Sequence, residues 1–114
     1  MSNKSINSET LLQRIKNGDK VLVLDVRDEE KYQTGSLEIE QAETKNIPFV
    51  AMRDGDEEAL ERLSRLPKDI DIITVCTTGN KAQKAATFLQ ERGYAALPLE
   101  GGLTAWKERN TPSS

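Results

Sequence analysis

Ile70-Asp-Ile-Ile-Thr-Val75-Cys76-Thr-Thr-Gly-Asn-Lys81 is the stretch on which the fold turns. Its first half, Ile70 to Val75, is apolar and rich in β-branched residues, the pattern of a strand buried on both faces. Small and turn-forming residues follow Cys76. Then Ala82, Ala85, Ala86 and Leu89 share one helical face that Gly93 closes. Strand, tight loop and helix together make half of a βαβ unit, and the rest of the chain repeats the alternation. Toward the N-terminus, Ser8 is expected to cap a helix over Glu9 to Lys16, with Leu11, Leu12 and Ile15 on one face and Gly18 as its stop. Val21 to Val26 is a second buried strand, and Asp28 to Gln33 a short acidic helix stopped by Gly35. The polar stretch Ser36 to Lys45 has no period and is expected to be an irregular loop. Asn46-Ile-Pro-Phe49 is expected to be a brief strand, and Asp56 to Leu66 a helix stopped by Pro67. Beyond Gly93, Ala95 to Leu99 predicts a third main strand and Leu103 to Arg109 a last helix. The alternation implies an α/β fold, a mostly parallel sheet with helices on both faces. Repeats, linkers and low-complexity tracts are absent. A single domain over residues 1–114 is expected, with its core at about 5–108 and about four residues frayed at each end.

Composition removes most other chemistries. The 114 residues are 36% hydrophobic and 31% charged, with 16 Lys and Arg against 19 Asp and Glu. A net charge of −3 without a basic block argues against nucleic acid or an anionic membrane as partner. The chain holds no histidine, which excludes Ser-His-Asp and Cys-His catalysis, His-ligated metals and imidazole bases. The one cysteine, Cys76, excludes intrachain disulfides, Cys-x-x-Cys redox chemistry and thiolate zinc sites. No metal or other cofactor is expected. No apolar leader or membrane-length run is present, and a free thiol without a leader points to the cytoplasm. What remains is chemistry that one thiol performs without a histidine.

Cys76 follows a strand directly, and in open parallel sheets ligands bind outside the carboxyl ends of the strands. A lone cysteine is most often only a small buried hydrophobe. Here, however, Thr77, Thr78, Gly79 and Asn80 allow the backbone to curl around the sulfur. Gly79 and Asn80 tolerate the positive φ that a nest of N–H groups requires. The N-terminus of the following helix and the charge of Lys81 favour a thiolate further.

In this setting Cys76-Thr-Thr-Gly-Asn-Lys81 resembles the active-site loop of single-domain rhodaneses. Three more segments match in order: Leu24-Asp-Val-Arg27 with Tyr32 and Gly35, then Asn46-Ile-Pro48, then Leu99-Glu-Gly-Gly-Leu-Thr-Ala-Trp106. The resemblance runs from about Ser5 to Glu108, and four ordered segments are far more specific than the loop alone. It implies a three-layer rhodanese-like α/β domain and a sulfurtransferase that works through a Cys76 persulfide. The donors implied are small sulfur-containing anions such as thiosulfate, or low-molecular-weight persulfides. The acceptor would be cyanide, a small thiol or a protein thiol. The persulfide would be held by backbone N–H groups from Thr77, Thr78, Gly79, Asn80, Lys81 and Ala82.

The chain departs from the family pattern in several places. Gly35-Ser36-Leu37 stands for glycine-histidine-isoleucine, and the segment from Gly35 to Asn46 is longer than usual. Lys31 replaces an acid four residues after Arg27, a change expected to lie away from the sulfur. Lys81 replaces an Arg, which keeps the charge but loses bidentate anion binding and weakens the case for thiosulfate as preferred donor. Asp25 and Arg27 stand on the same rim as Cys76; they could orient a donor, but a structural ion pair is the simpler reading. Trp106, with Leu103 three residues before it, is expected in the core. Gly101 and Gly102 read first as a turn before a helix, and Arg53 to Glu58 as an acidic helix start without a ligand set.

Three other functions compete. A persulfide carrier that serves a protein partner and turns over small donors poorly is favoured by Lys81. A silent interaction module is disfavoured by the presence of Cys76. A phosphatase or arsenate reductase needs a loop one residue longer, closed by an Arg six positions after the cysteine, where this chain has Ala82.

Overall fold

The two continuous apolar runs form the middle of the sheet, because only a strand covered on both faces can bury every side chain it carries. The computed structural model describes residues 5–35 and 42–110. In chain order the elements are α1 (Ser8–Lys16), β1 (Val21–Asp25), α2 (Glu29–Gln33), β2 (Glu43–Asn46), α3 (Phe49–Arg53), α4 (Glu57–Ser64), β3 (Asp71–Val75), α5 (Asn80–Gln90), β4 (Ala96–Pro98) and α6 (Gly102–Asn110). The four strands are all parallel, in the order β2-β1-β3-β4.

Alternation along β1 and β3 divides the core into two layers. Leu22, Leu24, Val26 and Ile72 face a cluster that takes in Met52 of α3, Leu63 of α4 and Ala82, Ala85, Ala86 and Leu89 of α5. Val21, Val23, Ile73 and Val75 face the other way, onto Leu11 and Ile15 of α1 and Leu103 and Trp106 of α6. The result is the expected three-layer α/β arrangement, with Trp106 in the core. Register then positions the site. Val21 pairs with Asp71 and Asp25 with Val75, so β1 and β3 end level. The chain lays β2 on one side of β1 and β3 on the other, and ligand crevices open at such a switch point. Cys76 follows β3 directly, and Arg27 stands two residues beyond the end of β1.

Four local features differ from the sequence expectation. Asn7, not Ser8, caps α1: its Oδ1 accepts the Thr10 N–H at 2.7 Å. The Ser8 hydroxyl is buried without a partner among the described residues. The second strand is Glu43–Asn46 rather than Asn46 to Phe49, so part of the expected loop is strand; residues 36–41 lie outside the described residues, as do the chain ends expected to fray. A polar edge strand defined by main-chain pairing to β1 leaves no apolar period to read. Pro48 precedes a helix, α3, that buries Phe49 and Met52. Finally, Ile6 adds a parallel bridge to Leu99, with its N–H on the Pro98 carbonyl at 3.0 Å.

The cap assignment is directly testable. Asn7→Ala is expected to lower the unfolding free energy by about 1 kcal/mol, while Ser8→Ala costs nothing or stabilises slightly. Denaturant titration of both variants measures the difference.

Candidate active site

Cys76 is the first residue beyond β3, and only 4% of it is exposed. The Gly79 N–H donates to its Sγ at 2.9 Å and the Ala82 N–H at 3.3 Å. Gly79 makes this turn with φ of +109°, a conformation that side chains resist. It also caps α5, so Sγ accepts from the first turn of a helix whose positive end favours an anion. The Thr74 hydroxyl ties the helix start to β3 by donating to the Ala82 carbonyl at 2.8 Å. Of the loop N–H groups expected around the sulfur, these two reach it. Asn80 has no positive φ; it is the first residue of α5.

The loop is held from behind by α6. Leu103 N–H donates to the Cys76 carbonyl at 2.8 Å, and Thr104 N–H to the Thr77 carbonyl at 3.1 Å. These are N–H groups that the first turn of a helix leaves without an internal acceptor. A trans peptide points its N–H opposite to its carbonyl, so both carbonyls facing α6 turn the N–H groups of Thr77 and Thr78 away from it. Gly102 makes the approach possible. A Cβ on it would lie 2.3 Å from the Cys76 carbonyl oxygen and 2.6 Å from that of Thr77. The two glycines are therefore more than a turn before a helix.

Asp25 and Arg27 form the expected ion pair at the end of β1, both buried. Arg27 Nη2 donates to Oδ2 at 2.8 Å, its Nε lies 3.0 and 3.1 Å from the two carboxylate oxygens, and its backbone N–H donates to Oδ1 at 3.0 Å. Nη2 also donates to the Gly35 carbonyl at 2.5 Å. Asn46 closes the same corner, donating from Nδ2 to the Asp25 and Arg27 carbonyls, each at 3.0 Å.

A cavity of about 260 Å³ opens over the sulfur, lined by Arg27, Lys31, Cys76, Thr77, Thr78, Asn80 and Lys81. Among the described residues, the charged side chains that line it are all cations. Lys31 was expected to lie away from the sulfur, and its place on this wall overturns that expectation. The signal was available: α2 starts two residues after Arg27, on the rim that carries Cys76. Glu100 takes no part in the lining and accepts from the Ser5 hydroxyl at 2.9 Å. A larger cavity of about 470 Å³, beside Tyr32, Arg62 and Arg65, has no thiol among its described lining residues.

The family model for the rhodanese-like domain matches residues 7–109. The chain belongs to the rhodanese-like domain family. Among relatives of this rhodanese-like protein is one named sulfurtransferase from Allochromatium vinosum, 30% identical over 94% of this chain and 91% of that one. The putative sulfurtransferase YtwF of Bacillus subtilis is 28% identical over the full length of both. A crystal structure of a rhodanese-related protein from Thermoplasma volcanium superposes with a TM-score of 0.71 at 29% identity, over 96% of this chain and 95% of that one. No helix among the described residues is long and apolar enough to cross a membrane.

The rhodanese-like loop depends on the close approach at Gly102. Gly102→Ala is expected to cost about 2–4 kcal/mol through strain and overpacking. Gly18→Ala, where φ is also positive but the space is open, is expected to cost only about 1 kcal/mol. Equilibrium unfolding of the two variants makes the comparison.

Proposed function

We propose that this protein is a sulfurtransferase that moves a sulfane sulfur from a small donor to a thiol or cyanide through a persulfide on Cys76. The observation that carries this reading is a single buried sulfur that accepts two backbone N–H groups at the floor of a cationic cavity. The sulfurtransferase names of the full-length relatives agree with it. In the first half-reaction the Cys76 thiolate attacks the outer sulfur of thiosulfate. The bond from that sulfur to the sulfonate sulfur breaks, and sulfite leaves with the electron pair. In the second, the acceptor attacks the outer sulfur of the Cys76 persulfide and the thiolate returns. No proton has to be supplied to sulfite, so the absence of histidine is no obstacle. Backbone N–H groups suit the persulfide because they are fixed before the charge arrives. The low-molecular-weight persulfides implied by the sequence react in the same way, with a thiol as leaving group.

The second reading, a carrier that delivers persulfide sulfur to a protein thiol, is favoured by Lys81, which lines the cavity with one compact charge instead of a guanidinium fork. Rates with thiosulfate as donor against rates with a protein or low-molecular-weight persulfide as donor separate the two.

Mass spectrometry tests the central step. Incubation with thiosulfate or glutathione persulfide is expected to add one sulfur atom to the intact protein, and cyanide to remove it. An unchanged mass with every sulfane donor would refute the proposal. Cys76→Ser is expected to fold normally and transfer nothing. Lys81→Arg is expected to raise kcat/KM for thiosulfate by several-fold to about tenfold, mainly through KM, because the regained contact lies away from the transferred sulfur.

A further inference from the structure

We infer that Thr74 is a positioning residue for Cys76: its hydroxyl anchors the first turn of α5 where the Ala82 N–H reaches the sulfur. The inference deepens the sulfur-transfer reading and rests on it for the consequence in turnover. Thr74 is fully buried in β3, in a run with Ile72, Ile73 and Val75. Ile72, two residues earlier, packs in the layer that holds α5, so Thr74 faces the same layer. There its hydroxyl donates to the Ala82 carbonyl at 2.8 Å, while the Ala82 N–H donates to Cys76 Sγ at 3.3 Å. One residue is held from both sides, by the strand and by the sulfur.

The two donors to the sulfur differ in what holds them. Gly79 lies within the loop, and its N–H stands closer, at 2.9 Å. Ala82 already belongs to α5, so its N–H goes wherever the start of that helix is placed. Among the described residues, the Thr74 bond is the one hydrogen bond that fixes this first turn to the sheet independently of the sulfur. The apolar contacts of Ala82, Ala85, Ala86 and Leu89 hold the helix down, but burial of that kind is not directional. A hydrogen bond to an anion is directional, and it weakens as its angle opens. Valine has the shape of threonine and buries no hydroxyl, so what Thr74 adds is this anchor. In an α-helix the same carbonyl also accepts from the N–H four residues on, so losing the hydroxyl strands no acceptor.

The test separates the hydroxyl from the methyl. Thr74→Val keeps the shape and loses the donor, whereas Thr74→Ser keeps the donor and loses a buried methyl. The readout is the rate of alkylation by iodoacetamide across pH, which reports Cys76 because it is the chain's one cysteine. The thiolate forms a bond to the methylene carbon, and iodide leaves with the bonding pair. A sulfur with a weaker N–H donor is ionised less in mildly acidic solution, yet attacks faster once it is fully ionised. Thr74→Val is therefore expected to react about two- to threefold more slowly in mildly acidic solution and faster in alkaline solution. Thr74→Ser should follow the wild type. The charged side chains facing the sulfur among the described residues are Arg27 beyond β1, Lys31 of α2 and Lys81 of α5. They are the same in all three proteins, so the comparison cancels them.

A profile of Thr74→Val that matches the wild type overturns the inference. So does the same change in Thr74→Ser, which would assign the effect to packing. A rise at every pH also overturns it, since a buried thiol that merely becomes more accessible reacts faster throughout. Should Thr74→Val not fold, Thr74→Ala, which also lacks the hydroxyl, is read against Thr74→Ser in the same way. Under the sulfur-transfer reading, kcat/KM for thiosulfate changes in Thr74→Val and is restored in Thr74→Ser. If the alkylation profile changes as expected but no protein transfers sulfur, the role of Thr74 stands and the sulfur-transfer reading fails. Sulfur transfer with an unaltered profile removes Thr74 alone.

Discussion

The hydrogen bonds from Leu103 and Thr104 at the start of α6 to the carbonyls of Cys76 and Thr77 are the constraint on which the site depends. They fix the path of the first two loop peptides, from which the chain runs on to Gly79 and Ala82, whose N–H groups meet the sulfur. Gly102 permits the contact, and Gly79 returns the chain toward the sulfur by a turn that other residues resist. The contact also joins the two halves of the core. The helix that donates from behind, α6, packs through Leu103 and Trp106 on one face of the sheet. The helix whose first turn reaches the sulfur, α5, packs through Ala82, Ala85, Ala86 and Leu89 on the other. The loop is set only when both layers are in place.

A second constraint lies at the end of β1. Burying Asp25 and Arg27 costs solvation that neither regains alone, so their value is realised in the fork between them. Asn46 and the Gly35 carbonyl complete that corner, and α2 runs between Arg27 and Gly35. A buried ion pair that is structural in itself thereby sets the wall from which Lys31 reaches the cavity. The cavity's charge is thus divided. Arg27 belongs to the scaffold, and Lys31 and Lys81 line the cavity without an ion pair to any described residue.

Much of this was legible in the sequence, for physical reasons that differ between elements. Val21 to Val26 and Ile70 to Val75 announced the central strands because burial on both faces writes itself as an unbroken apolar run. Cys76 announced the site because it combines a strand end, turn-forming neighbours and a helix start. The polar edge strand β2 was not legible, since main-chain pairing leaves no trace in side-chain pattern. The cap on α1 fell to Asn7 rather than its neighbour Ser8, because both residues can cap and only backbone geometry chooses. Lys31 was misplaced because a change relative to a family pattern was weighed without its position on the rim. The role of Gly102 was hidden because a turn glycine and a close-approach glycine read alike.

The central claim is that the backbone N–H groups of Gly79 and Ala82, at the start of α5, hold the reacting sulfur. Amide NMR of the protein before and after sulfur loading at Cys76 tests it most directly. Gly79 and Ala82 donate to Sγ, so their amide proton resonances are expected to show the largest shifts on loading, well beyond those of exposed amides elsewhere in α5. Gly79 and Ala82 resonances that stay fixed while Cys76 gains its sulfur would contradict the account.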